Sequence, residues 1–187
     1  QRRRNFELLI AEVYQNSKLL SYRQKTGKEL TEDIWIKFGK SCFKCGKKIN
    51  TSNKMHLDHT RPLALLWPLD ETATALCSAC NTAKRDKPPS EYYSDDELNS
   101  LSQCTGMSVH DLKSVEPNHE VIKELIRRED WLFDKFLKKP ELLKEKECKI
   151  TAELVVKALD KVLKRSQTVK YEYSFVEEYN KRQDTTI

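Results

Sequence analysis

Two pairs of cysteines constrain the fold of this 187-residue chain more than any other feature of its sequence. Both pairs have the spacing Cys-x-x-Cys, with Cys42 and Cys45 in the first pair and Cys77 and Cys80 in the second. Two such turns can bring four thiolates into a tetrahedral arrangement around one zinc ion. The pattern therefore predicts a structural Zn²⁺ site, which would hold the segments between and beside the pairs in a fixed relation.

Three polar residues between and beside the cysteine pairs have the chemistry that hydrolysis needs. Hydrolysis of a phosphodiester requires a cation to neutralise the phosphoryl oxygens and a base to activate water. Asp58 offers a carboxylate oxygen and Asn81 a neutral carbonyl oxygen, and both suit Mg²⁺ or Mn²⁺. In an extended segment, His59 would point to the other side from Asp58. If Asp58 holds the metal ion, His59 is free to be the general base.

The order of these residues resembles the HNH nucleases, in particular the zinc-bearing branch of some restriction enzymes and phage junction resolvases. The stretch Leu57-Asp58-His59-Thr60-Arg61-Pro62 is similar to the D-H-x-x-P line of that family. The stretch from Leu76 to Lys84 is similar to its L-C-x-x-C-N-x-x-K line, and the resemblance covers about residues 40–88. It implies a ββα-metal finger in which Asp58 and Asn81 bind a catalytic Mg²⁺ or Mn²⁺ and His59 activates water.

Two further residues are candidates for supporting roles around this site. The middle asparagine of the family, which braces the loop that carries the histidine, would fall near Thr72. A threonine has one hydroxyl in place of an amide, so we expect that brace to be altered or supplied from elsewhere. His56 lies two residues before Asp58 on the same face of a strand. It could support the metal ligands, contact a phosphate or be an extra ligand, and a structural role is equally compatible with its position.

Basic residues are concentrated in the first half of the chain. Residues 1–90 contain 17 lysines and arginines against 9 aspartates and glutamates, whereas residues 91–187 contain 17 against 20. A basic excess around the candidate site is what phosphate binding requires. Arg61 and Lys84 flank the predicted cleft, and for both we favour a phosphate contact over a solvated charge. The candidate DNA contacts are Arg61, Lys84, Arg85, Lys87 and Lys54.

The rest of the sequence predicts helices on both sides of the finger. A first helix is predicted over about residues 5–23, since one face carries Phe6, Leu9, Ile10, Val13 and Leu20. Ser94 and Glu97 have the spacing of a capping box that opens another helix. We expect an α+β fold, with the finger and its zinc site embedded in mostly helical segments. The expected segments are 1–39 (helical), 40–90 (nuclease finger) and 91–187 (helical, packed on or beside the nuclease core).

Composition narrows the cellular setting. The sequence has no apolar run long enough to span a membrane and no signal-peptide pattern at its start. Four of its six cysteines have metal-binding spacing, which fits a reducing compartment. These features predict a cytoplasmic protein with no membrane partner.

The predicted function is that of a metal-dependent HNH endonuclease acting on DNA, in restriction or in defence against foreign DNA. The alternative is a non-catalytic zinc-finger module that binds nucleic acid or another protein. Such a module would share the zinc site and the basic surface, but it would have no use for Asp58, His59 and Asn81 together. A finger that grips one phosphate reads little sequence by itself. We therefore expect the flanking segments to supply recognition or to form a homodimer that sets paired cuts.

Overall fold

The computed structural model describes residues 2–17, 27–146 and 149–184 of the chain. This part of the chain is mostly helical, with two short antiparallel strand pairs. No helix in it is both long enough and apolar enough to cross a membrane. The described residues divide into two compact units, one drawn from 1–21, 64–66 and 116–187 and the other from 22–63 and 67–115.

The first unit contains the two ends of the described chain. Its helices are α1 (Arg2–Gln15), α7 (His119–Arg127), α8 (Glu129–Trp131), α9 (Thr151–Leu163) and α10 (Phe175–Asp184). A π-helical turn, Leu132–Phe136, continues α8, and the strands β3 (Glu145–Lys146) and β4 (Lys149–Ile150) pair just before α9. The apolar face of α1 is buried and packs against α7 and α9.

The first helix is shorter than the sequence predicts. It ends at Gln15, and the predicted extension lies partly outside the described residues, as does Leu20. The buried positions are those expected from the apolar face, namely Phe6, Leu9, Ile10 and Val13. Their partners lie in residues 116–187, so the unit boundaries do not coincide with the predicted segments 1–39, 40–90 and 91–187.

Polar contacts hold the last helix of this unit at both ends. The carboxylate of Asp160 accepts hydrogen bonds from the Phe175 backbone N–H at 2.7 Å and from the Ser174 hydroxyl at 2.8 Å. Further along α10, the guanidinium of Arg182 pairs with Asp130 and Asp134, at 2.8 and 2.9 Å. Both ends of α10 are thereby tied to the same unit.

The second unit contains both cysteine pairs. Its elements are α2 (Gly27–Lys37), β1 (His56–Asp58), β2 (Thr74–Leu76), α3 (Ser78–Lys84), α4 (Pro89–Tyr92), α5 (Asp95–Thr105) and α6 (Val109–Lys113). The strands β1 and β2 are antiparallel, with His56 opposite Leu76 and Asp58 opposite Thr74. Since α3 begins two residues after β2 ends, the chain runs strand, strand, helix between His56 and Lys84.

A small apolar core holds α2 against this strand pair. Ile34 of α2 and Ala75 and Leu76 of β2 are completely buried and belong to one apolar cluster. The indole Nε1 of Trp35 donates a hydrogen bond of 2.8 Å to the carbonyl oxygen of Ile49, which follows the first cysteine pair. Burial of the apolar face of α2 therefore also positions the turn that carries Cys42 and Cys45.

The predicted capping box is confirmed at the start of α5. The Ser94 hydroxyl accepts a hydrogen bond from the Glu97 backbone N–H, and the Glu97 carboxylate accepts one from the Ser94 backbone N–H. These bonds satisfy backbone donors that the first helical turn would leave open. At the other end, Gly106 adopts the left-handed conformation, with φ 74°, that terminates α5.

Candidate metal centre and polar site

Four cysteine side chains meet in the second unit. The Sγ atoms of Cys42, Cys45, Cys77 and Cys80 all lie within 4.8 Å of one another. The sulfurs of Cys45 and Cys77 are 3.8 Å apart. Zinc–sulfur bonds of about 2.3 Å in a tetrahedral site separate sulfurs by roughly 3.8 Å. The four cysteines could therefore bind one structural metal ion such as zinc.

Each cysteine pair is positioned by the backbone conformation around it. Around the first pair, the Gly46 backbone N–H donates to the Cys42 carbonyl oxygen at 2.9 Å, and the Cys42 N–H donates to the Lys47 carbonyl oxygen at 2.9 Å. Gly46 has a φ of 70°, which a glycine adopts without steric cost. Cys77 caps the N-terminus of α3, and Cys80 lies in its first turn. A turn and a helix start thus supply the two halves of the cluster.

The ionisation of these thiols differs within the cluster. The pKa of Cys77 falls from 9.0 to about 7, first because the Cys80 backbone N–H donates to its sulfur. Burial is the main cause that raises the pKa of Cys42 and of Cys80 above that ordinary value. A bound cation would offset the cost of ionising Cys42 and Cys80, since metal binding favours the thiolate.

A buried ion pair joins the end of β1 to the end of α3. The Nζ atom of Lys84 lies 2.7 Å from Oδ2 of Asp58 and donates a hydrogen bond of 3.1 Å to the His59 carbonyl oxygen. Lys84 is 1% exposed, Asp58 5% and His59 6%. Lys84 therefore contacts Asp58 inside the protein in place of the predicted phosphate. A buried ammonium that is already paired cannot reach DNA bound at the surface. Asp58 is the last residue of β1, and His59 follows it directly.

The helix that carries Lys84 also carries Asn81. Residues three apart in a helix lie on the same face, and Asn81 is one turn before Lys84. Since Lys84 reaches Asp58, this face of α3 is directed towards the end of β1, and α3 and β1 are in contact. Asn81 is partly exposed in the middle of this short helix, next to Cys80.

Threonine hydroxyls brace the loop that follows His59. The Thr60 hydroxyl donates a hydrogen bond of 2.5 Å to the Thr72 carbonyl oxygen and lies 2.5 Å from the hydroxyl of Thr74. The Thr72 side chain instead donates to the Asp70 carboxylate at 2.6 Å. Thr72 therefore contacts the segment after His59 through its main chain, and the side-chain hydroxyl in this contact belongs to Thr60.

Comparison of the chain with protein-family models, with curated proteins and with solved structures finds no match. The resemblance to the HNH nucleases therefore rests on the motifs themselves.

The other predicted site residues lie on the surface of the second unit. His56, Lys54, Arg85 and Lys87 are exposed, although His56 shares a strand with the buried Asp58. Arg61 is half-buried, and its guanidinium carbon lies 3.2 Å from the centre of the Trp67 ring. An arginine stacked in this way keeps its charge while its plane is held in one orientation.

Two tyrosines, Tyr92 and Tyr93, lie next to the cysteine cluster, and no motif in the sequence predicts them there. The Tyr92 hydroxyl donates a hydrogen bond of 3.0 Å to the Cys80 carbonyl oxygen. The Lys44 ammonium, inside the first cysteine pair, lies 5.2 Å from the Tyr92 ring centre and 5.6 Å from that of Tyr93. Their only signal in the sequence is an aromatic pair soon after two prolines, and such a pair is usually ordinary core.

Together these features form one polar site beside one candidate metal centre. The cluster lies at the start of α3, and Lys84 at the end of the same helix contacts the Asp58 carboxylate and the backbone of His59. A carboxylate, an imidazole and an amide are thus held near a centre that could bind a structural ion. This set of groups is suited to metal-assisted proton transfer.

Proposed function

We propose that this chain is a metal-dependent endonuclease of the HNH type that hydrolyses phosphodiester bonds in DNA. The observation that carries the proposal is the convergence of β1 and α3. Asp58 and His59 lie at the end of β1, and α3 begins at the cysteine cluster and carries Asn81. A structural zinc ion on Cys42, Cys45, Cys77 and Cys80 would keep this helix in place beside the strand.

Each side chain has one role in the proposed reaction. Asp58 and Asn81 would hold a Mg²⁺ or Mn²⁺ ion through oxygen atoms, the ligand type that these ions prefer. When bound, such an ion neutralises charge on the phosphoryl oxygens and on the departing 3′ oxygen. His59 would remove the proton from the attacking water, which leaves a 5′-phosphate and a 3′-hydroxyl. Exposed cations near α3, Arg85 and Lys87, would hold the flanking phosphates.

Restriction of foreign DNA, or a related defence role, is the biological setting that we favour. The HNH resemblance supports this choice, since restriction enzymes are among the nucleases that the two motif lines resemble. Base recognition would come from basic surfaces outside the finger, because phosphate contacts position a protein and base contacts specify its sequence.

A non-catalytic zinc-finger module that binds nucleic acid or protein is the second candidate. The ion pair between Lys84 and the buried Asp58 favours it, because a carboxylate that is already paired inside the protein can serve the fold alone. In that case His59 would be one more buried polar residue, and added Mg²⁺ would change nothing.

Cleavage of DNA decides between the two candidates. The zinc-loaded 187-residue chain is incubated with a random-sequence DNA library, with Mg²⁺, with Mn²⁺ and with neither, and the ends are sequenced. His110→Ala is the matched control, since that imidazole is exposed on α6. Cutting by the wild type and by His110→Ala, but not by His59→Ala, supports the nuclease. A wild-type protein that binds DNA and cuts nothing with either ion would establish the non-catalytic module.

A further inference from the structure

Among the lysines whose side chains the structure describes, Lys84 is the one that is buried in the protein. Lysines are almost never fully buried unless they are paired, because an ammonium loses its hydration when it leaves water. Both of its polar contacts are on consecutive residues, the Asp58 carboxylate at 2.7 Å and the His59 carbonyl oxygen at 3.1 Å. A lysine thus contacts the side chain of one candidate site residue and the main chain of the next.

These two contacts constrain different degrees of freedom. The ion pair limits the rotation of the Asp58 carboxylate. The hydrogen bond to the His59 carbonyl orients the peptide group that follows His59, and with it the direction in which the imidazole leaves the backbone. Lys84 ends the helix α3, whose N-cap is Cys77, so this one helix connects Asp58 and His59 to the cysteine cluster.

We propose that Lys84 is a positioning residue that holds Asp58 and His59 in their relative placement. The proposal rests on the proposed function, in which those two residues carry the chemistry. Lys84→Met keeps most of the stem and removes the ammonium, so it releases both contacts at once. A displacement of about 1 Å in a reacting group can lower a rate by about 10²-fold. A lysine that contacts phosphate would instead weaken DNA binding and lower its salt dependence.

Kinetics separate these two roles. The Lys84→Met variant is expected to show a kcat lower by about 10²-fold, with KM within about twofold and zinc content unchanged. Lys113→Met removes an exposed ammonium on α6, outside the finger, and should leave both constants unchanged. A raised KM with an unchanged kcat in Lys84→Met would overturn the proposal, since it would identify a binding contact.

A measurement that needs no activity keeps this proposal separate from the nuclease assignment. In amide NMR spectra, the His59 and Thr60 signals are expected to shift in Lys84→Met and to stay in place in Lys113→Met. Unmoved signals in Lys84→Met would overturn the positioning role. If the wild type cleaves no DNA, the nuclease proposal fails, and the same spectra still decide whether Lys84 holds this segment.

A paired comparison covers the case in which Lys84→Met does not fold, because it leaves Asp58 buried without its cation. Asp58→Asn alone keeps the Lys84 ammonium, and Asp58→Asn combined with Lys84→Met removes both charges, which proteins often tolerate. These two proteins differ only at residue 84. A shifted His59 amide in the double variant relative to Asp58→Asn supports the proposal, and identical spectra contradict it.

Discussion

The Lys44 ammonium contacts both carboxylate oxygens of Glu97, at 2.8 and 2.7 Å, and so joins the first cysteine turn to the start of α5. Glu97 also accepts the Ser94 N–H of the capping box at 2.8 Å. One carboxylate therefore stabilises a helix end and the loop that presents Cys42 and Cys45. The pair is less than one-third exposed, which limits its screening by solvent.

Glu97→Gln should lower the free energy of unfolding by about 1 kcal/mol, because it removes the ion pair and keeps an acceptor for the cap. Urea denaturation of the zinc-loaded protein measures this change. Asp95→Asn is the control, since its pair with Lys113 is exposed and should contribute less than about 0.5 kcal/mol. Equal losses for the two variants would show that Lys44 contributes nothing specific.

The contribution of the Lys44–Glu97 ion pair to the free energy of unfolding should depend on pH. Burial alone would raise the pKa of Glu97, but hydrogen bonds from Lys44 and the Ser94 N–H hold it below its ordinary value of 4.5. The folded pKa lies below the unfolded one, so the contribution is complete above 4.5 and is lost as pH falls through the folded pKa. The difference between the wild type and Glu97→Gln should be constant near neutral pH and shrink in acid.

Elemental analysis of the purified protein should find one zinc ion per chain. Structural zinc sites supply roughly 10–16 kcal/mol of apparent binding free energy in small zinc peptides, so Cys77→Ala should unfold the finger and release the ion. Cys104→Ala is the matched control, because Cys104 lies in α5 outside the cluster. Unchanged zinc content and melting temperature in Cys77→Ala would contradict the assignment.

His59→Ala should keep the zinc ion, the fold and the affinity for DNA, and lose about 10²- to 10⁴-fold in cleavage rate. Asn81→Ala should lose activity together with its response to added Mg²⁺ or Mn²⁺. Activity in His59→Ala close to wild type would remove histidine from the mechanism.

Asp58 is better changed to Asn than to Ala. A residue too small to contact Lys84 would leave that ammonium buried alone, at a cost of about 3–5 kcal/mol.

Lys87→Met should weaken DNA binding almost equally for all sequences and reduce the slope of log affinity against log salt by about 0.9. The reason is that an exposed lysine on phosphate releases about one counterion on binding. Fluorescence anisotropy over a range of KCl concentrations measures the slope, with Lys113→Met as the control. An unchanged slope would place Lys87 outside the DNA contact.

A homodimer would account for double-strand cleavage by a finger that grips one phosphate. We expect a particle of two chains in light scattering, and paired cuts at a constant stagger when the product ends are mapped. The acidic balance of residues 91–187 disfavours broad DNA contact in that region, which leaves it available for packing and self-association. A monomer that makes single-strand nicks would exclude this arrangement.

Local patterns predicted the parts of this structure that depend on neighbours in the sequence. The capping box at Ser94 and the closeness of the four cysteines follow from spacing, because the groups are near in sequence or have the spacing of ligands that could bind one ion. Lys84 could not be predicted in the same way. It lies in a basic, polar stretch that is typical of a solvated surface, and only the packing of α3 against β1 shows that it is buried.

The packing of α1 against residues 116–187 could not be predicted from the sequence for a related reason. Its apolar face was visible in the sequence, but the identity of the surface that covers it depends on contacts more than 100 residues away, such as that between Asn118 and the Tyr14 hydroxyl. Periodicity indicates that a face is buried, and it carries no information on the partner.

The separation of the two cysteine pairs along the chain has a consequence for biosynthesis. Cys45 and Cys77 are 32 residues apart, and the strand pair between them has only three residues in each strand. Closing a loop of that length costs about 3 kcal/mol of chain entropy, and a two-stranded sheet of this size is marginally stable by itself. A finger held by one ion on all four cysteines could not be completed until Cys80 had left the ribosome. Metal supply at that moment, rather than the intrinsic stability of the strands, would then limit how much protein reaches its folded form.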